Sequence, residues 1–463
     1  MPSDAPSASR LSRVLGLREL ILYGIILIQP TAPMPLFGVV AQEAHGHVVT
    51  TVLIGMVAML FTAFSYGKMA NAYPSAGSGY AYVSRELHPS LGYLVGWGMM
   101  FDYVMNPIIC VVWCAKAWLN FIPGVPPPIL YPLCAIGFTL LFTTMNLRGI
   151  KASSRTNTWV AAGLGVVIVL FLGAVTRYLW LQPPVGLGGW TRPFYDPENF
   201  TWKHLSTGTS LAVLTYIGFD GISTLSEEAH NPRRNILLAT VWTCVLTGVL
   251  AAIQVYAAQL VWPETNNFPD VDTAFVHVSG KAGGQWLFLL VNLALLVASV
   301  GSGSGAQLGA GRLLYGMGCD NAIPRRFFGA LNPKTNIPSN NIILVGGLTL
   351  AGAFLLSYQL GIELLNFGAF IAFMGVNASA FVRYFVRSPR KTLGNLLPPL
   401  LGFVVCLYIW LSLRPLAMVV GAAWLAMGLL YGAWRTSWFR RPLEFSRIEK
   451  EDEDQPERVS PQP

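Results

Sequence analysis

GFDGISTLSEE, residues 218–228, is where a long apolar run meets an acid. Asp220 lies about fifteen residues into a segment, roughly 205–226, long enough to cross a bilayer. Gly218 and Gly221 bracket it. A carboxylate at that depth is costly, so it is a functional-site candidate by default. The glycines weaken the helix around it, and unwound backbone is tolerated at membrane depth only beside protein or a water-filled cavity. Both features indicate a path for a polar solute.

Hydrophobic residues make up 53% of the 463-residue chain and charged residues 11%, against roughly 25% charged in a soluble domain. An all-α polytopic membrane protein is expected, with the lipid bilayer as its surroundings. The N-terminus is polar and basic up to Arg18, and the first apolar run is longer than a signal-peptide core, so no cleavable signal is expected. The net charge of +8 does not indicate nucleic-acid binding, because the basic residues sit in short loops between apolar runs. Most of the six cysteines, Cys110, Cys114, Cys134, Cys244, Cys319 and Cys406, lie inside apolar runs and read as small packing residues.

Windows long enough for a ~30 Å hydrocarbon core fall at approximately 18–39, 49–69, 91–116, 129–145, 158–180 and 205–226, then at 236–260, 285–310, 339–357, 363–384, 396–413 and 416–434. Twelve spans place both termini on one side. Of the 30 basic residues, 24 fall in the N-terminus, the loops after even-numbered spans and the tail. The other six are Lys116, Arg177, Arg192, Lys203, Lys281 and Arg414. By the positive-inside rule both termini are cytoplasmic. The segment 1–17 is a short cytoplasmic lead, and the tail 435–463 mixes charge with Pro and Ser and reads as disordered. Trp180, Trp190, Trp202, Trp262, Trp286 and Trp434 sit near span ends, where amphipathic rings anchor.

Two spans are interrupted. The first contains Gln29, Pro30, Thr31, Ala32, Pro33, Met34 and Pro35, and three prolines in six residues rule out a continuous α-helix. The sixth carries Tyr216, Gly218, Phe219, Asp220 and Gly221. Matched interruptions in corresponding helices of two halves mark the midplane binding site of many secondary transporters. A kinked helix with packing glycines is the plainer alternative. Asp102, within Phe101-Asp102-Tyr103, is the second acid read as deep in a span, and it serves either function or pairing with a polar neighbour. Gly301-Ser302-Gly303-Ser304-Gly305 suits helix packing, although the hydroxyls of Ser302 and Ser304 also fit a cation or solute path. Asn366 and Asn377 read as interhelical hydrogen-bonding residues. The histidines lie in or near loops without metal-ligand spacing beyond His45-x-His47. No HExxH, nucleophile elbow or P-loop is present, so no enzyme is evident.

The string Pro74-Ser75-Ala76-Gly77-Ser78-Gly79-Tyr80-Ala81-Tyr82, continuing to Gly92-Tyr93-Leu94-Val95-Gly96-Trp97, resembles the amino acid–polyamine–organocation permease superfamily. GFDGISTLSEEAHNPRRNI, GRLLYGMGCDNAIPRRFFG and NFGAFIAF extend the likeness over nearly the whole apolar region. FDY, TLSEE and the RLLY-MG-DN pattern are most similar to the bacterial putrescine-importer branch. The resemblance implies a leucine-transporter-type fold of five-plus-five inverted repeats (about 18–180 and 205–387) with two extra helices (396–434). It also implies alternating access and import driven by a proton or sodium gradient, with no other cofactor. Many amino-acid permeases of this superfamily hold the substrate carboxylate on backbone N–H groups at the first-span break. Pro30, Pro33 and Pro35 lack an N–H, which depletes that nest. The putrescine-importer branch carries an acid in this stretch where Pro35 stands here. The fifth span has no internal lysine of the kind that replaces sodium in some proton-coupled relatives.

The expectation is a plasma-membrane importer of a small amine-bearing solute, amino acid or polyamine, with putrescine-like amines slightly favoured. Asp220 faces the ammonium, Tyr103 closes over it, and Gln29, Pro30, Thr31 and Pro33 line the first break. Asp102, Ser302 and Ser304 are candidates for coupling or a secondary site. An amino-acid permease without polyamine activity is the alternative. An amine sensor that transports nothing is another class, disfavoured by the short polar tail. A channel fits matched helix breaks poorly.

Overall fold

Helices start where the sequence offers a residue that can begin one. Proline occupies the first turn of Pro33–Glu43 (α2, following α1, Leu17–Ile28), Pro89–Leu119 (α5), Pro127–Leu147 (α6), Pro232–Val261 (α10) and Pro415–Arg435 (α17). The lost N–H costs nothing there. Thr201 caps Trp202–Ala212 (α9) by accepting from the His204 N–H, and Ser357 caps Tyr358–Phe381 (α15) by accepting from Leu360. The other helices are Val48–Ala72 (α3), Ser78–Glu86 (α4), Ser154–Leu181 (α7), Gly186–Thr191 (α8), Ala274–Gly283 (α11), Gln285–Cys319 (α12), Arg325–Phe328 (α13), Ser339–Leu355 (α14) and Leu393–Leu411 (α16).

The computed structural model describes residues 15–73, 78–122, 124–149, 154–184, 186–225, 229–319, 323–333, 335, 337–389 and 391–436. Residues 74–77, 226–228 and 320–322 of the quoted strings and the tail beyond 436 lie outside them. So do most of the N-terminal lead and Arg10, Arg13, Lys151, Lys334, Arg390, Arg440, Arg441, Arg447, Lys450 and Arg458 of the orientation count. Among the described residues the fold is all-helical, apart from one isolated bridge between Leu15 and Ala229.

Nine of these helices are long and apolar enough to cross a membrane, or ten if the pair α1 and α2, bent by 56°, is one span. The other two expected spans take different forms. One is α14, apolar but only 17 residues long. The second is the segment from Trp202 to Leu225, where the 11-residue α9 gives way to 3-10 turns at Val213–Tyr216 and Phe219–Leu225. Short helices α4, α8 and α11 sit in stretches read as loops.

Helix α5 is the hub. Of its most apolar window 83% is buried, against 17% for α6, 22% for α16 and 28% for α17, which form the periphery. It packs between α15 and α12, and glycines set the approach. A Cβ on Gly368 would come 2.5 Å from the Gly98 carbonyl oxygen, so α5 and α15 touch backbone to backbone. Gly303, inside the GSGSG run, is filled from the other side by Phe142 and Cys110. All six cysteines are free, four of them buried. Asn366 donates to the Ser210 carbonyl (2.6 Å) and Asn377 to Thr62 Oγ1 (3.0 Å), the interhelical bonds expected of them. Trp180, Trp202, Trp286 and Trp434 are exposed at helix ends.

Candidate functional site

The first break follows from its prolines. Pro30 and Pro33 have no N–H to continue the α1 ladder, so the chain turns with Ala32 N–H on the Gln29 carbonyl (3.1 Å) and Met34 N–H on that of Thr31 (3.0 Å). Gln29 takes φ +69, and Thr31 and Pro33 are buried. Side-chain amides staple the turn. Gln29 Nε2 donates to the Ala298 carbonyl of α12 and Gln254 Nε2 of α10 to the Pro30 carbonyl, each at 3.0 Å. Gln29 and the Pro30 carbonyl, expected to face solute, are thus already engaged in holding the break.

The second break pivots on Gly218, whose φ of +124 suits only glycine. A Cβ there would meet the Ile28 side chain at 3.4 Å and its backbone N and Cα at 3.5 Å, so the two interruptions face each other. Gly24 and Gly221 extend the contact against Ile222 and Leu27. Beyond Gly218, the 3-10 turn directs the Asp220 carboxylate toward the backbone amides of Gly218, Asp220 itself and Gly221. Ser223 Oγ donates to the Asp220 carbonyl at 2.6 Å.

Three elements converge on this acid. Asp102 and Tyr103 come from α5, Tyr66 from α3 and Tyr82 from α4, and Asp220 lies within electrostatic reach of all four. Tyr103 lies against Gly309 of α12, where a Cβ would be 2.9 Å from its ring. Phe219, fully buried, stacks on Phe373 of α15 (5.6 Å, 30°) and meets Tyr66 edge-on at 5.6 Å. Asp102 and Asp220 are half-buried, and among the described residues neither forms an ion pair with a lysine or arginine. Two carboxylates that see each other without a cation are an incomplete arrangement.

Other expected residues lie elsewhere. Tyr216 is fully buried with its hydroxyl on the Val52 carbonyl (2.7 Å), directed at α3. Ser302 lies beside Cys110 of α5, and Ser304 Oγ returns to the Gly301 carbonyl of its own helix at 3.2 Å.

Sequence reasoning missed Tyr66 and Tyr82, which carry no charge and stand in separate segments, and it missed several ion pairs. Asp102 and Asp220 were expected to be the only acids deep in a span. Glu363, six residues into α15 and fully buried, amends that: Arg414, in the turn between α16 and α17, holds it at 2.5 Å. Arg414 also approaches Glu43 at the end of α2 (3.9 Å), and Gln359 donates to the same Glu43 oxygen at 2.6 Å. At the other end of α15, Glu86 of α4 is ringed by Arg383, Arg387 (3.0 Å) and the Tyr73 hydroxyl (2.6 Å). Lys116 closes on Asp272 at 2.6 Å. The one available signal was that Lys116 and Arg414 belong to the six basic residues outside the segments read as cytoplasmic.

Comparison with known proteins agrees with this architecture. The amino acid permease family model matches residues 20–429. The chain is 33% identical over 449 residues to the low-affinity putrescine importer PlaP of Escherichia coli K12, covering 95% of this chain and 97% of that one. It is 26% identical over 405 residues to the vacuolar cationic amino acid transporter 4 of Arabidopsis thaliana, covering 83% and 65% respectively. With the branched-chain amino acid permease BcaP of Bacillus subtilis it shares 24% over 446 residues, 91% and 92%. With its apolar helices and helix breaks, the chain belongs to the amino acid permease family of the amino acid–polyamine–organocation superfamily, a multi-pass membrane transporter and not an enzyme.

Proposed function

We propose that this permease imports a small amine-bearing solute by secondary-active alternating access, with putrescine-like amines slightly favoured over amino acids. The observation that carries the reading is the placing of Asp102 and Asp220 in one cluster with no cationic side chain paired to either among the described residues, beside two helix breaks that face each other. A cationic solute supplies the missing charge. Asp220 receives the ammonium, with its carboxylate already oriented by backbone amides. Tyr103 covers it by hydrogen bond or cation–π contact, and the aromatic rings of Phe219 and Phe373 back the cluster. In the wider reading the chain crosses the inner membrane twelve times with both termini cytoplasmic. Residues of about 18–180 and 205–387 form inverted five-span repeats, and the last two helices are additions. A proton or sodium gradient drives the cycle, with Asp102 a candidate for the coupling role.

Likeness to PlaP supports the amine, and likeness to amino-acid permeases such as BcaP supports the alternative of an amino-acid substrate. The proline-depleted first break argues against the alternative, because a substrate carboxylate needs N–H donors there. Uptake of radiolabelled putrescine, spermidine and a panel of amino acids into proteoliposomes under imposed proton and sodium gradients tests the proposal. Gradient-dependent accumulation of a diamine supports it. Accumulation of amino acids alone selects the alternative, and tight binding without flux under any gradient would make the protein a sensor.

A further inference from the structure

Tyr66 is fully buried in α3, and among the described residues its hydroxyl has no hydrogen-bond partner. The fold treats comparable tyrosines differently. Tyr216 donates to the Val52 carbonyl (2.7 Å) and Tyr93 to that of Gly428 (3.1 Å), while the neighbouring Tyr82 hydroxyl, like that of Tyr66, has no hydrogen-bond partner among the described residues. A hydroxyl removed from water without a partner is a net loss to the folded state, so its retention calls for a ligand. The ring cannot turn away easily. Phe219, Phe373 and Tyr82 hold it edge-on at 5.6, 6.1 and 6.3 Å. Phe219 immediately precedes Asp220, and Tyr66 lies in the field of that carboxylate and of Asp102. Gly79 of α4 approaches the hydroxyl closely, since a Cβ there would stand 3.1 Å from it, so a side chain at that position would crowd the hydroxyl.

We infer that the Tyr66 hydroxyl is a direct ligand of the substrate nitrogen, which it shares with the Asp220 carboxylate. The inference rests on the reading that Asp220 receives an amine, and it adds a rule of selectivity. A nitrogen seated between a phenol oxygen and a carboxylate must offer two N–H bonds in different directions. A primary ammonium has three, a trialkylammonium one and a quaternary ammonium none. Tyr66 therefore selects primary amines over their N,N-dialkylated forms.

The test is equilibrium binding of putrescine and of N,N,N′,N′-tetramethylputrescine to the full-length protein in nanodiscs, comparing wild type, Tyr66→Phe and Asp220→Asn. Tyr66→Phe keeps the ring packing and breaks no protein hydrogen bond, so its ligand-free thermal midpoint should equal or exceed that of wild type. Its affinity for putrescine should fall about tenfold or more, the scale of one hydrogen bond to a charged group. Affinity for the tetramethyl compound should hardly move, so that the preference for the primary amine narrows. Unchanged putrescine affinity, equal losses for both probes, or a lowered ligand-free midpoint each overturns the inference. If Asp220→Asn loses putrescine and Tyr66→Phe does not, the role of Tyr66 alone fails. Full binding by Asp220→Asn, or no putrescine binding by wild type, overturns both readings.

Discussion

Replacing Asp220 by asparagine changes one charge in the cluster while keeping its shape. The 3-10 turn should survive, because its bonds run through backbone and through Ser223 Oγ to the Asp220 carbonyl, none of which needs the carboxylate. Removing one of two carboxylates that repel each other should leave the ligand-free thermal midpoint unchanged or raised. Binding is another matter. Loss of one member of a buried charge pair costs about 2–5 kcal/mol. Here the cost belongs at the lower end, since Asp220 is half-buried and Asp102 keeps its own pull on the cation. A loss of about 2–3 kcal/mol corresponds to a Kd for putrescine raised roughly 30- to 150-fold. Isothermal titration and counterflow should be measured side by side on the purified variant. Weak binding with proportionally weak counterflow is the expected pair of results. Normal binding and exchange with no concentrative uptake would move Asp220 to the coupling proton. Wild-type behaviour in all three would refute the site.

Other substitutions probe the supports around it. Gly218→Ala should lower the thermal midpoint and abolish uptake, because a φ of +124 costs an alanine about 1–3 kcal/mol and the new Cβ presses on Ile28. Uptake and midpoint measured together check this. Arg414→Ala should destabilise by about 3 kcal/mol or less, since it strands the buried Glu363 carboxylate while Arg414 itself is partly exposed. Adding Glu363→Gln should recover most of that loss in thermal unfolding. His45, in the turn after α2, stacks on His204 at 3.7 Å, and burial, with His204 beside it, holds its pKa below the usual 6.5. The unfolded chain then binds the proton more readily, so stability falls as pH drops below 6.5 through the lower folded value. His45→Asn, tolerated at φ +48, should flatten that acid limb of a midpoint-versus-pH curve.

The helical fold and its two breaks were legible because proline and glycine act locally. Pro30 and Pro33 cannot donate to a ladder continuing from α1, and Gly218 between Ile217 and Phe219 announces a backbone that bulkier residues resist. Asp220 was legible because an acid inside an apolar run has few innocent explanations. Tyr66 was not, since nothing in FTAFSYGKMA separates a tyrosine packed on lipid from one packed on an acid cluster. Its meaning comes from α4 and the second break, which arrive from distant parts of the chain. The same holds for Glu363, which looked like the edge of a span until Arg414 arrived from the α16–α17 turn. For Ser302 and Ser304 the sequence left packing and a solute path open, and the structure adds that Ser304 Oγ donates to the Gly301 carbonyl of its own helix.

The central claim is that this permease concentrates an amine, and accumulation of radiolabelled putrescine in proteoliposomes tests it most directly. Under an imposed inward proton or sodium gradient, wild-type protein should raise internal putrescine above the external concentration. Dissipating the gradient should abolish that excess, and Asp220→Asn should never reach it. Putrescine that equilibrates without exceeding the external concentration under either gradient, or that fails to enter at all, would contradict the account.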